Sequence, residues 1–270
     1  MNAQREAFHE LHASGCFVIP NPWDVGTARY LQHLGFPALA TTSAGFAFAR
    51  GVPDGAIGVD EMLAHIGEMV AATKLPVNAD FGSAFADEPE GVASNVKACL
   101  ATGVAGLSVE DATGDCKPLY EFELAVERVR AAKKAIEDSG TGVLLTARAE
   151  CYLVHHPEPF AESLRRLQAY AEAGADVLYA PGITKREEIR ALVSAAAPKP
   201  VNILMSSDIG LRVSDLAEMG VRRVSVGSSL ARTAWTGFIQ AAREIAVQGS
   251  FGGFANAIPF AELNGFFQTK

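Results

Sequence analysis

Three short apolar runs in this chain end in charged or strongly polar residues: Val77-Asn78-Ala79-Asp80, Ser108-Val109-Glu110-Asp111 and Thr146-Ala147-Arg148-Ala149-Glu150. Each follows a helix-like stretch and a Gly or Pro break. If the runs are neighbouring parallel strands, their ends carry carboxylates and one guanidinium to a single mouth. Asp80 and Glu110 would then be oxygen ligands suited to Mg²⁺ or Mn²⁺, which take one or two carboxylates and fill the remaining positions with water and substrate oxygens. Solvated loop acids, or acids bonded to backbone N–H groups, are the plainer reading of the same pair. Asp111 directly follows Glu110, so it points away when Glu110 points inward and reads as a brace. Arg148 is placed to grip a substrate carboxylate by a bidentate contact. A salt bridge to Glu110 or Glu150 is the competing assignment.

Further candidates lie at the ends of other runs. Ser43, Ala44 and Gly45 offer a hydroxyl and backbone N–H donors to an anion, or form merely a tight turn. Asn202 opens a later run and is expected to reach the substrate. Asp54 lies in the glycine-flanked loop Arg50-Gly51-Val52-Pro53-Asp54-Gly55. Such loops act as lids, although Pro-Asp-Gly is also an ordinary turn signal. His155-His156 is read as a loop pair, because adjacent residues rarely share one metal. Cys116 sits where a thiol can protonate an intermediate, or is a thiol without function. Gly227-Ser228-Ser229 precedes a helix and is the weak phosphate-site candidate, with a single glycine.

These residues need a frame. Eight runs of β-branched and apolar residues follow Gly or Pro: Cys16–Pro20, Ala38–Thr42, Val77–Asp80, Ala105–Val109, Val143–Ala147, Asp176–Ala180, Val201–Met205 and Val224–Gly227. Helix-period segments lie between them, from Val25–Leu34 through Asp60–Thr73, Glu88–Thr102, Glu121–Ser139, Pro159–Ala173, Lys185–Ala195 and Val213–Met219 to Ser228–Val247. Eight alternations predict an α/β fold, a (β/α)₈ TIM barrel. An open doubly wound sheet is the rival, weakened by the missing G-x-G-x-x-G after the first run. A leading helix, Gln4–Ala13, is expected to plug the barrel bottom. The chain is expected to be one domain over residues 1–270, with 248–270 an oligomerisation tail. That tail carries Phe251, Phe254, Phe260, Phe266 and Phe267, more aromatic surface than a lone chain leaves in water. A helical tail swapped between subunits accounts for it.

Composition narrows the partners. The net charge is −8 at pH 7 and there is no Lys/Arg block, which argues against nucleic acid and anionic membranes. A small anionic substrate stays compatible, because a bound cation or an arginine reverses the sign inside a pocket. No apolar run nears the ~20 residues that span a bilayer, and the polar N-terminus lacks a secretion-signal core. A cytoplasmic location is expected. Cys16, Cys99, Cys116 and Cys151 form no CxxC pair, so neither a disulfide framework nor a thiolate metal site is expected.

The segments Asn21-Pro22-Trp23-Asp24, Thr41-Thr42-Ser43-Ala44-Gly45, Val77-Asn78-Ala79-Asp80, Val109-Glu110-Asp111 and Thr146-Ala147-Arg148-Ala149-Glu150, with the tract Gln168–Gly182, carry a resemblance. From about Asn21 to Val247 the chain resembles the isocitrate lyase/phosphoenolpyruvate mutase superfamily. The resemblance implies a Mg²⁺-dependent barrel acting on 2-oxo acids through an enolate, with a C–C lyase as the leading class. A hydrolase or P–C bond enzyme acting on oxaloacetate-like or phosphonopyruvate-like acids is the alternative, and an oxo-acid-binding protein without turnover is another. It implies that Asp80 and Glu110 hold the metal, that Ser43, Ala44, Gly45 and Arg148 hold the carboxylate, and that Asp54 sits on a gating loop. It also implies a homotetramer that exchanges a C-terminal helix. Two departures stand out. The cysteine signature of isocitrate and methylisocitrate lyases is replaced by Thr113-Gly114-Asp115-Cys116-Lys117-Pro118. Asn78 and Gly82 occupy places where relatives carry acids.

Overall fold

The computed structural model of the chain describes residues 2–113 and 118–268. Eight strands form one parallel sheet: β1 (Phe17–Ile19), β2 (Leu39–Ala40), β3 (Val77–Asp80), β4 (Gly106–Glu110), β5 (Leu144–Arg148), β6 (Val177–Tyr179), β7 (Val201–Leu204) and β8 (Arg223–Ser225). Their order is β1-β8-β7-β6-β5-β4-β3-β2. The Ala40 amide donates to the Pro20 carbonyl at 3.0 Å, linking the two outer strands and bringing the sheet to a nearly closed barrel. This is the (β/α)₈ architecture that the eight alternations predict. β1, β3, β5 and β7 match the expected runs closely, whereas β8 begins one residue early, at Arg223, and so gains an inward-facing charge.

The helices are α1 (Ala3–Ala13), α2 (Val25–His33), α3 (Ser43–Ala49), α4 (Val59–Ala72), α5 (Pro89–Ala101), α6 (Phe122–Ser139), α7 (Pro159–Glu172), α8 (Arg186–Ala196), α9 (Val213–Glu218), α10 (Ser229–Gln248) and α11 (Phe260–Gln268). Local chemistry sets their ends. Asp24 and Thr27 form a capping box on α2. Pro89 and Pro159 start α5 and α7, where a missing N–H costs nothing. Gly140 closes α6 with φ +62°, a conformation that glycine adopts without a Cβ clash. Helix α3 goes beyond the tight turn that was one of two readings of Ser43-Ala44-Gly45 after β2. Thr42 caps it by accepting from the Gly45 amide, so the apolar Phe46 and Ala47 continue as a helix.

Helix α1 lies under the N-terminal ends of the strands, as the plug reading requires. Arg5 Nε donates to Val104 O at 3.0 Å and His9 Nε2 lies 2.7 Å from Gly142 O. Phe8 packs with Phe17, Ile19, Ala38, Ala40 and Leu144. Apolar burial between strands and helices supplies the main stabilisation.

The chain divides into two compact units, Met1–Ser228 and Ser229–Lys270. Within the second, Glu244 of α10 accepts from Ser250 Oγ and from the Gly252 and Gly253 amides. In this unit Phe238, Val247, Phe251, Phe254, Ile258 and Phe260 are exposed in the single chain. Among the described residues no helix is long and apolar enough to cross a membrane.

Candidate active site at the C-terminal mouth of the barrel

Parallel pairing decides which side chains meet. The register sets Asp80 beside Ser108 and Glu110 beside Arg148. With side chains alternating in and out along each strand, Asn78 and Asp80 share the inner face of β3. Ser108 and Glu110 share that of β4, Thr146 and Arg148 that of β5. The C-terminal ends of all three strands open at one mouth, where barrels of this class carry their chemistry.

Arg148 is the centre of this arrangement. Its Nη1 donates to Asp80 Oδ1 at 2.8 Å and lies 3.2 Å from Glu110 Oε2, while Nε donates to Glu150 Oε1 at 2.8 Å. The competing salt-bridge reading of Arg148 therefore holds for both glutamates, and Asp80 joins them. Among the described residues Nη2 meets no protein acceptor, and Arg148 is one of the residues lining the cavity at the mouth. Tyr179 lies alongside, its ring centroid 5.3 Å from the guanidinium carbon. Burial alone would lower the Arg148 pKa, but Glu150, Glu110 and Asp80 together raise it well above its ordinary value.

The carboxylates are not all compensated. Burial pushes the Glu110 pKa up to about 8; Arg148 opposes the shift, and Glu150, Asp80 and Asp54 reinforce it. Burial also raises that of Glu150, against the pull of Arg148. Three carboxyl groups face one guanidinium, so full ionisation would leave two negative charges without a local counter-charge, and Glu110 relieves one of them by holding a proton up to about pH 8. This is the electrostatic condition that a divalent cation meets. No group of three or more His, Cys, Asp or Glu forms a metal-ligand set among the described residues. Asp80 and Glu110 nonetheless supply the one or two carboxylates that Mg²⁺ takes when water and substrate oxygens complete its shell. The residues present therefore fit such an ion.

The neighbouring backbone holds these groups in place. Asp80 Oδ2 accepts from the Ser43 amide and hydroxyl at 3.1 and 3.2 Å. Thr41 Oγ1 accepts from the Asp80 amide at 2.8 Å. Glu110 N–H donates to Gly82 O at 3.0 Å. Gly82 has φ +53°, and a Cβ there would lie 4.0 Å from Glu110 Oε1, so a side chain at this position would abut Glu110. Ala84 and Phe85 also take positive φ, 57° and 55°, a strained conformation for residues with a side chain. Arg128 restrains that loop by donating to the Ser83, Ala86 and Asp87 carbonyls.

Asp111 points away from the mouth, as a brace does. It is 2% exposed and accepts from the Glu150 amide at 2.8 Å, Tyr170 Oη at 2.6 Å and Arg166 Nη1 at 3.1 Å. It thereby fixes the backbone of the residue that pairs with Arg148.

A cavity of about 160 Å³ connects the mouth to the barrel interior. Its lining includes Ser43, Ala44, Asp54, Asp80 and Arg148 above, and Asn78, Asn202 and Arg223 below. It is smaller than the ~300 Å³ at which pockets for drug-sized ligands begin, a volume suited to a small acid. Of the three anion-binding candidates, the Gly45 amide is taken by the Thr42 cap and the Ser43 donors by Asp80. Among the described residues the Ala44 amide meets no acceptor. Asp54 sits on the loop between α3 and α4, with Gly51 and Gly55 at positive φ on either side. Asn202 is fully buried, accepting from Arg223 Nε and donating to Ser225 Oγ, both at 2.9 Å.

Of the other candidates, Gly227 and Ser228 line the cavity. His155 and His156 lie on the loop after β5 and are not among its lining residues. Cys116 lies outside the described residues. The Val226 and Gly227 amides, on the turn read as a weak phosphate site, are both taken by Asn21 Oδ1, at 3.0 and 2.9 Å. Sequence reasoning missed Arg223 and Tyr179 and left Glu150 without a role. The signal for Arg223 was the pair Arg222-Arg223 opening a β-branched run, where alternation must turn one arginine inward.

The phosphoenolpyruvate phosphomutase family model matches residues 8–246. An uncharacterized protein of Mycobacterium tuberculosis (strain ATCC 25618 / H37Rv) is 33% identical over 223 residues, 82% of each chain. An oxaloacetate decarboxylase of Bradyrhizobium sp. (strain ORS 278) is 30% identical over 236 residues, 83% of this chain and 77% of its own. A solved structure of a protein from Burkholderia cenocepacia J2315, provisionally described as a lyase/mutase, matches with TM-score 0.94 at 47% identity, covering 98% of this chain and 96% of its own.

Proposed function

The chain belongs to the isocitrate lyase/phosphoenolpyruvate mutase superfamily, and from that premise we propose that it is a Mg²⁺-dependent lyase that breaks a C–C bond of a small 2-oxo acid through an enolate. The observation that carries this reading is the cluster of Asp80, Glu110 and Glu150 around Arg148 at the barrel mouth, three carboxyl groups to one guanidinium. Decarboxylation, the activity named for the Bradyrhizobium relative, is one such cleavage and leaves the same enolate.

In this reading Asp80 and Glu110 hold the metal. When bound there, Mg²⁺ supplies Lewis-acid stabilisation of the negative charge that develops on the 2-oxo oxygen. Arg148 Nη2 and the Ala44 amide receive the substrate carboxylate and fix its orientation, with Ser43 and Gly45 shaping that side of the pocket. Ser43 also holds Asp80 in its rotamer through two donors. The loop bearing Asp54 closes over the cavity and excludes water, which would otherwise protonate or divert the enolate. Asn202 lies deeper, where it shapes the far end of the pocket. The exposed aromatic tail supports a homotetramer in which residues 248–270 pack on a neighbouring subunit.

Calorimetry with Mg²⁺ and oxalate, followed by pyruvate-release assays over a panel of oxo acids, tests the reading. Asp80→Ala and Glu110→Ala are expected to lose metal-dependent turnover by a factor of about 100 or more, the scale of removing one stabilising group from an oxyanion site. Asp54→Ala is expected mainly to slow turnover. Activity of Asp80→Ala equal to wild type in EDTA would rule the scheme out.

A further inference from the structure

Barrel interiors are ordinarily filled by branched apolar side chains. Here the layer below the mouth is polar and holds a second guanidinium. Arg223 of β8 is 3% exposed. Its Nε donates to Asn202 Oδ1 at 2.9 Å and its Nη2 to Thr146 Oγ1 at 2.9 Å, while Nη1 lies 3.4 Å from His12 Nε2. All three partners are neutral. His12 Nδ1 lies 2.7 Å from Phe8 O, and burial, with Arg223 next, lowers its pKa to about 3. No ion pair involving Arg223 occurs among the described residues. Burial lowers the Arg223 pKa to about 10, with Tyr179 opposing, so the side chain remains a cation at neutral pH. A buried charge is costly unless paired, and among the described residues only three of its five N–H donors have partners.

A second observation points to the same space. Asn78 and Arg223 line the cavity that also reaches Asp80 and Arg148. A continuous polar wall joins the two guanidinium groups. Asn202 Nδ2 donates to Ser225 Oγ at 2.9 Å, Ser225 Oγ lies 3.5 Å from Tyr179 Oη, and the Tyr179 ring flanks Arg148. Thr146, which touches Arg223, and Arg148 are two residues apart on one face of β5. Their Cα atoms are therefore about 6.6 Å apart along the strand, the length scale of a four- or five-carbon diacid.

We propose that Arg223, with Asn202 and Thr146, forms a second anion subsite inside the barrel, which receives the distal carboxylate of a dicarboxylic substrate whose first carboxylate lies at Arg148. This deepens the function proposed above and rests on it. Arg223 is then a specificity-determining residue that discriminates diacids from monoacids. It needs no part in bond breaking.

The test compares acids that differ by one terminal carboxylate: malate against 2-hydroxybutanoate, and 2-oxoglutarate against 2-oxopentanoate. Each is titrated calorimetrically with Mg²⁺ into wild type, Arg223→Met and Arg223→Lys, and oxalate, which spans only the mouth, is the control. In wild type at least one diacid is expected to bind about 10-fold or more tighter than its monoacid, the scale of a charge-assisted hydrogen bond. Arg223→Met is expected to bring that ratio within about twofold, and Arg223→Lys to keep part of it. Equal binding of diacid and monoacid by wild type, or an unchanged ratio in Arg223→Met, overturns the subsite while oxalate binding upholds the metal site. Loss of Mg²⁺-dependent oxalate binding in wild type overturns both. If circular dichroism shows Arg223→Met to be unfolded, the wild-type ratio and Arg223→Lys decide.

Discussion

Replacing Arg148 with Met removes the cation set among Asp80, Glu110 and Glu150. Its ion pairs with them measure 2.8, 3.2 and 2.8 Å, and the three carboxylate side chains are 19%, 17% and 5% exposed. Water reaches them too poorly to replace the guanidinium. Breaking a buried ion pair by deleting one partner costs about 3–5 kcal/mol. The lower end applies here, because Glu110 already favours its protonated form up to about pH 8 and can relieve the repulsion by holding a proton. The unfolding free energy of Arg148→Met in EDTA at pH 7.5 is therefore expected to fall by about 3 kcal/mol. Mg²⁺ should then act differently on the two proteins. At 100 times its Kd a ligand specific to the folded state adds about 2.7 kcal/mol. In the variant the ion meets carboxylates with no other counter-charge, whereas in wild type it shares them with Arg148. Urea unfolding of both proteins, in EDTA and in excess Mg²⁺, measures the four free energies. A variant within about 0.5 kcal/mol of wild type in EDTA would refute the reasoning, because a loss that small is typical of an exposed pair. So would equal Mg²⁺ stabilisation of both proteins.

Three further outcomes follow from the same geometry. The folded-state pKa of Glu110 is raised to about 8 from an ordinary 4.5, so the folded state binds the extra proton and metal-free stability falls as pH rises through that window; urea midpoints in EDTA at pH 5.5 and 8 test this, and Glu110→Gln should flatten the trend. Hydrogen bonds from Arg165, against burial and with help from Arg166, lower the Glu162 pKa to about 2. The stability it contributes is present above about pH 4.5 and is lost as pH falls toward 2; Glu162→Gln should cost about 1–2 kcal/mol at pH 7, and the gap should close near pH 2 in acid-unfolding curves. Deleting residues 249–270 should reduce the solution mass from that of an oligomer, read by light scattering at micromolar concentration; a monomeric mass for the intact chain would end the tail-exchange reading.

The strand ends were legible because period and punctuation are local. A β-branched run after Gly or Pro marks a strand wherever it falls, and eight of them leave few topologies. Asp80, Glu110 and Arg148 were found because a charged residue closing an apolar run in a barrel must lie at the mouth. Asp111 was legible as a brace for the same reason, since alternation turns it away from Glu110. Helix α3 was not, because its cap is a bond from the Gly45 amide to the Thr42 hydroxyl that a short Ser-Ala-Gly sequence does not announce. Arg223 was missed because the eighth run was begun at Val224, which left its inward neighbour outside the strand.

The chain order of residues thus determined the barrel, its plug helix and the identity of the mouth carboxylates, since each depends on periodicity within a segment. Tertiary structure alone decided that Arg148 divides itself among three acids, that the Gly45 amide and the Ser43 donors are already engaged, and that Arg223 lies in the lumen among neutral partners. Those facts depend on register between strands distant in sequence. Burial then sets the strength of each charge, and no spacing along the chain encodes which side chains share one desolvated space.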